Sequence, residues 1–181
     1  MIMNTTKLNT KLIAVPALMG AMFVALSGQN AQAADSAATL TVANFTSVTA
    51  SPTIAMTPGL SDIVTGSVEA LSGIDLNVVT NNGTGCKVTV SAGAAGAGKI
   101  APGDISLKVA AAGNGAAAGA FAAYTALGTS ATDLWNTSGA QLNGTDVELD
   151  VMFGNLAAYP AVAGATTNYT NTITFTAVAN S

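Results

Sequence analysis

The chain has 181 residues, of which 50% are hydrophobic, 5% aromatic and only 8% charged, and it contains five lysines, no arginine and no histidine; roughly 25% of residues are charged in ordinary soluble domains. Without histidine it lacks the usual general base and the commonest metal ligand, and without arginine it lacks the planar fork that grips phosphates and carboxylates. A net charge of −4 with a pI near 4.3 has the wrong sign for holding a nucleic-acid backbone. The composition therefore disfavours enzymes and nucleic-acid binders, and the residues define no catalytic set, cofactor site or metal site.

Lys7 and Lys11 precede an apolar run over residues 12–26, then a polar stretch over 27–30 and the triplet Ala31-Gln32-Ala33. A charged start, an apolar core of about 15 residues and a small-x-small exit make a secretory signal peptide of residues 1–33. The run falls short of the about 20 residues that a spanning helix needs, and Pro16 and Gly20 interrupt it. Cleavage after Ala33 leaves 148 residues with three lysines against nine acids, a net charge of −6. That length suits a single domain over 34–181. The Ala-rich stretch 109–126 comes nearest to a second apolar span, but three glycines and Asn114 break it. The expected location is secreted or at the cell surface, by way of the periplasm if the host is a diderm bacterium.

Beyond the cleavage point, period-2 alternation recurs, the mark of half-buried strands. Leu40 and Val42 alternate with Thr39 and Thr41, with Phe45 and Val48 following less regularly. Ile63, Val64 and Val68 suggest a strand after the turn Thr57-Pro58-Gly59. Ile74, Leu76 and Val78 form one apolar face, and Val88 and Val90 another across the turn Asn81-Asn82-Gly83. Ile105, Leu107 and Val109 follow the turn Ala101-Pro102-Gly103-Asp104. Val147, Leu149, Val151 and Phe153 follow Asn143-Gly144, and residues 171–178 alternate threonine with apolar residues. The Ala/Gly stretches 91–99 and 110–123 read as loops, or as a short helix over 116–126. Seven or so strands between Gly, Pro and Asn turns predict an all-β, immunoglobulin-like antiparallel sandwich.

Candidate functional residues are few. Cys86 is alone, so it closes no internal bridge; it reads as a small buried hydrophobe, with an intersubunit bridge or a reactive thiol as the sharper alternatives. Asp146, Glu148 and Asp150 share one face of a strand at steps of about 6.5–7 Å, too far apart to surround one ion, and read as a solvated face. Trp135, the sole tryptophan, reads as packing, with sugar stacking as the alternative. Tyr124, Tyr159 and Tyr169 are dispersed. Asn44, Asn82, Asn136, Asn143 and Asn168 each head an Asn-x-Ser/Thr triplet, a weak signal in so Asn- and Thr-rich a chain.

The segment Asn168-Tyr169-Thr170-Asn171-Thr172-Ile173-Thr174-Phe175-Thr176-Ala177 resembles the closing strand of bacterial fimbrial subunits and spore-coat-U-like surface proteins, and residues 76–90 resemble an internal strand–turn–strand region of such domains. The lone cysteine departs from the disulfide that many such subunits carry. The resemblance implies a sandwich completed by a strand from a neighbour, with residues 34–50 as donor and Leu40, Val42 and Phe45 as the side chains filling the acceptor. Pairing of that segment with its own sheet is the competing expectation. The expected function is an exported fimbrial or biofilm-matrix subunit that self-associates into oligomers or filaments, with a periplasmic chaperone or a surface glycan as further partners. The alternative is a monomeric carbohydrate- or surface-binding module using loops around Trp135 and Tyr159.

Overall fold

The computed structural model describes residues 40–51, 53–161 and 167–181. The expected signal peptide, its expected cleavage point after Ala33 and residues 34–39 lie outside the described residues. The folded unit is Val42–Ser181. Its elements are β1 (Thr46–Ala50), α1 (Leu60–Thr65), β2 (Val68–Thr80), β3 (Cys86–Ala92), β4 (Ile105–Ala111), β5 (Ala116–Ala117), β6 (Thr125–Ala126), β7 (Thr132–Asn136), β8 (Gln141–Phe153) and β9 (Ile173–Ala179). Short 3-10 turns cover Pro102–Asp104, Gly119–Ala122 and Leu156–Ala158.

The strands form two antiparallel sheets. One has five strands in the order β1-β2-β8-β4-β6, and the other has four in the order β5-β7-β3-β9. The all-β sandwich expected from the alternation is thus the observed architecture. The apolar members of each alternating run are the buried ones. Leu76, Val78, Leu107, Val147, Leu149 and Val151 from the first sheet join Cys86, Val88, Val90, Leu134 and Trp135 from the second in one core. The intervening polar residues of β2, β3 and β8 face outward, as a period of two requires. Phe121, on the 3-10 turn Gly119–Ala122, adds a buried ring from one of the Ala/Gly stretches. Two-residue strands, β5 and β6, stand on either side of the turn, and no α-helix runs over 116–126.

Two glycines are needed for close approach. A Cβ on Gly85, which has φ +83°, would lie 2.0 Å from the Thr137 carbonyl oxygen. One on Gly115 would lie 2.2 Å from Cζ2 of Trp135. The turn between β2 and β3 is locked by Asn82, whose Nδ2 donates to the carbonyls of Gly85 (2.8 Å) and Asn180 (2.7 Å). Asn180 in turn donates to Thr84 and Thr137 carbonyls. This pole of the sandwich is held by amide side chains where other proteins use charges or a disulfide.

The strand expected over Ile63, Val64 and Val68 is corrected. Residues Leu60–Thr65 form α1, and the strand β2 begins only at Val68. Local capping decides this against the β-branched propensity of Ile63 and Val64. The Gly59 amide donates to Asp62 Oδ2 at 2.7 Å, and Gly66, at φ +82°, ends the helix by donating to the Asp62 carbonyl at 2.7 Å. Having packed no residue inside, α1 leaves Leu60 and Val64 largely exposed.

Replacing Leu149, fully buried on β8 between β2 and β4, should measure how far the core supports the fold. Leu149→Ala is expected to cost about 2–5 kcal/mol, read as a lower urea midpoint with an unchanged slope. A cost near zero would contradict the packing described.

Candidate assembly surface

β1 lies in its own sheet, in register with β2 from Thr46 opposite Thr80 to Ala50 opposite Leu76. The expectation that residues 34–50 act as one donor strand is corrected for 46–50, which pair intramolecularly. Asn81 extends the hold backward. It accepts from the Phe45 amide, its own amide donates to the Phe45 carbonyl, and its Nδ2 donates to the Ala43 carbonyl at 2.8 Å. The three proposed assembly residues remain uncovered: Leu40 is 87% exposed, Val42 69% and Phe45 54%.

Among the described residues the sandwich leaves four sheet edges, and they differ in kind. β5 and β6 are two residues long and flank the 3-10 turn Gly119–Ala122. β1 and β9, five and seven residues long, lie beside each other on the opposite flank. Among the described residues, the strand that pairs with β9 is β3, in unbroken register from Ile173 opposite Ala92 to Ala179 opposite Cys86. Thr172 accepts from the Gly93 amide and the Asn180 amide donates to Gly85, so the even-numbered residues turn their N–H and C=O toward β3. Those of Ile173, Phe175, Ala177 and Ala179 point to the free edge. None of the seven residues of β9 is buried, whereas Cys86, Val88, Val90 and Ala92 of its neighbour all are.

At one end of this flank a groove of about 1170 Å³ opens beside the first half of β9. Ile54, Met56, Ile100, Phe153, Ile173 and Phe175 supply much of its apolar wall, and among the described residues no charged side chain lines it. Tyr159 stands at this groove. Its hydroxyl accepts from the Ala101 amide at 2.8 Å and donates to Asp104 Oδ2, and its ring meets Tyr169 edge-on with centroids 5.1 Å apart. Burial, then the Asp104 carboxylate, push the Tyr159 phenol above its ordinary pKa. Trp135 does not join it. The tryptophan is completely buried, and its indole N–H donates to the Ala112 carbonyl at 2.8 Å. With its ring inside the core, Trp135 offers no face to a ligand, so the pair proposed for ligand contact is not brought together.

The charges sit elsewhere. No charged side chain occurs in 36–61 or 151–181, whereas the outward face of β2 and β8 carries Glu69, Asp75, Asp146, Glu148 and Asp150. Asp75 stands directly opposite Glu148, and Asp146 accepts from Asn77 Nδ2 at 2.7 Å. The reading of this row as solvated holds for Asp146 and Glu148 and is corrected for Asp150, which is 4% exposed. A break in the β2–β8 register places Ser72 at φ 48°, and its amide donates to Asp150 Oδ1 at 2.8 Å. Lys108, on the adjacent β4, reaches Oδ2 at 2.7 Å, with Tyr124's ring 5.0 Å from its Nζ. No strand periodicity could reveal this, because it depends on the bulge in a neighbouring strand. Burial raises the Asp150 carboxyl, but the Lys108 ion pair and the Ser72 amide outweigh it, leaving the pKa below the usual carboxylate value.

Cys86 is buried in β3 as a small apolar side chain, and burial pushes its thiol pKa up. Of the five glycosylation triplets, Asn44, Asn136, Asn143 and Asn168 are exposed, whereas Asn82 is buried with its amide nitrogen engaged. The chain matches no protein-family model and no curated protein.

The sign of the Asp150 shift fixes a pH dependence. A carboxyl depressed in the folded state stabilises the fold above its unfolded pKa of about 3.9, and loses that contribution as pH falls through the lower folded value. Urea midpoints measured from pH 7 down to pH 2 should therefore fall at the acid end, and Asp150→Asn should flatten that part of the profile. The substitution is also expected to cost roughly 1–3 kcal/mol at pH 7. Identical acid profiles for the two proteins would contradict the assignment.

Proposed function

We propose that this chain is an exported structural surface protein, a fimbrial or biofilm-matrix subunit whose copies associate through β-strands. The observation that carries the reading is the long, uncharged flank formed by β1 and β9. Exposed strand edges are templates for pairing with another chain, and proteins that stay monomeric blunt them with charges, prolines or short strands. Here the short strands β5 and β6 guard one flank, and the other has no such guard. Leu40, Val42 and Phe45, ahead of β1 in the chain, carry exposed apolar side chains, so association by strand donation uses the segment ahead of β1. A secretory leader on residues 1–33 agrees with assembly outside the cell.

The alternative, a monomeric carbohydrate- or surface-binding module, rested on Trp135 and Tyr159 acting together. It has lost its tryptophan to the core, and Tyr159 is engaged with Asp104 and Ala101. The immunoglobulin-like assignment of the sandwich belongs with the same proposal, as the frame on which strand addition acts.

Light scattering of the mature protein over a concentration series is expected to show oligomers that grow with concentration, unchanged by reductant because Cys86 is buried. A monomer at every concentration would overturn the reading. Deleting residues 34–45, ahead of the first described strand, separates the two routes: loss of assembly assigns it to donation, and its retention assigns it to edge pairing.

A further inference from the structure

We infer that two copies of this chain pair through β9, antiparallel about a two-fold axis at Thr176, so that their four-stranded sheets become one eight-stranded sheet. The inference rests on the reading of the protein as self-associating and names the strand and register involved. Four observations converge on it. β9 is the longest edge strand of the sandwich, at seven residues. The main-chain groups of Ile173, Phe175, Ala177 and Ala179 face its free edge, so a partner strand receives a complete alternating set of donors and acceptors. The stretch 151–181 has no charged side chain and no proline in β9, which matters for the identity of the partner. The mature chain is acidic, and a second copy can approach closely only where neither contributes a carboxylate; the acidic face of β2 and β8 belongs to the other sheet. A basic partner would instead be drawn to that acidic face.

The fourth observation is that β9 is self-complementary. Pairing all seven residues puts the axis at Thr176. Phe175 then lies opposite Ala177 of the second copy, and Ile173 opposite Ala179, large against small on the inward face. On the outward face Thr176 meets its own counterpart, and Thr174 meets Val178. The side chains of Thr174, Thr176 and Val178 are all exposed in the isolated chain, so they are free to form this second row. Two-fold pairing of one patch with itself is the commonest symmetry of homodimers.

The register makes a sharp test. Thr176 faces Thr176 at a site without direct hydrogen bonds between the two residues, where Cα atoms of antiparallel strands are about 4.5 Å apart, within disulfide range. Thr176→Cys in the otherwise intact mature protein should therefore form a covalent dimer on mild oxidation, reversed by reductant. Val178→Cys alone should not, because its counterpart lies four residues away along the paired strands. Mixing Val178→Cys with Thr174→Cys should restore the cross-link, as the mixed dimer. The unmodified protein, with Cys86 buried, is the control.

Ala177→Pro supplies the converse. Its N–H points to the free edge, so proline removes no bond to β3, and edge strands tolerate proline in that orientation. The folded variant, checked by circular dichroism, should dimerise about tenfold or more weakly, since each dimer loses two ladder bonds. If oligomers form but Thr176→Cys does not cross-link and Ala177→Pro changes nothing, pairing through β9 is wrong and self-association stands. If the protein stays monomeric and no cysteine pair cross-links, both fall.

Discussion

The constraint on which this structure turns is the need to satisfy main-chain N–H and C=O groups in sheets that do not close. Two open sheets leave four edges, here β1, β6, β5 and β9, and each edge exposes a row of groups with no ladder partner among the described residues. The chain handles them unequally. β5 and β6 are cut to two residues, and the 3-10 turn carrying Phe121 fills the space beside them. β1 and β9 are left long, adjacent and without charge. A protein with so few charged residues has little electrostatic means of protecting such a flank, and five of its nine carboxylate side chains lie on the face of β2 and β8.

That distribution explains features that look unrelated. The outward acids of β2 and β8 include a like-charged pair in direct register, Asp75 and Glu148, an arrangement that costs stability. Part of the row is relieved by neighbours: Asn77 bonds Asp146, Ser72 bonds Glu148, and Lys108 with the Ser72 amide holds Asp150. The amide clips of Asn81, Asn82 and Asn180 do at one pole what ion pairs or a disulfide can do elsewhere. They tie the segment before β1, the β2–β3 turn and the C-terminus together, and they survive any redox condition. The interior follows the same economy, with Val, Leu and Ile filling most of the core around Trp135 and Phe121.

Much of this was legible in the residues. Alternation in β2, β3, β4 and β8 named the buried side chains, because one-sided burial of a strand imposes a period of two. Cys86 was read as buried and is. What escaped was set by local capping or by distant strands. The Ile63–Val64 pair looks like a strand until Asp62 and Gly66 are seen to cap a single helical turn. Asp150 follows the outward phase of its own strand, yet a bulge at Ser72 and the reach of Lys108 enclose it. Trp135 carried no signal that would separate a rim from a core; the glycine at 115, which clears room for the indole, was the overlooked clue. For the candidate assembly surface, the apolar side chains of Leu40, Val42 and Phe45 were visible in the sequence. The hold of Asn81 on that segment and the parity of β9 were not, since both depend on which residues face one another across the sheets.

Amide hydrogen exchange in β9, followed as a function of protein concentration, tests the central claim most directly. The account predicts that the amides of Ile173, Phe175, Ala177 and Ala179 exchange quickly in dilute solution and become protected as concentration rises, while Thr174, Thr176 and Val178, bonded to β3, stay protected throughout. Rapid exchange of the odd-numbered amides at every concentration, in a sample that remains folded, would contradict it.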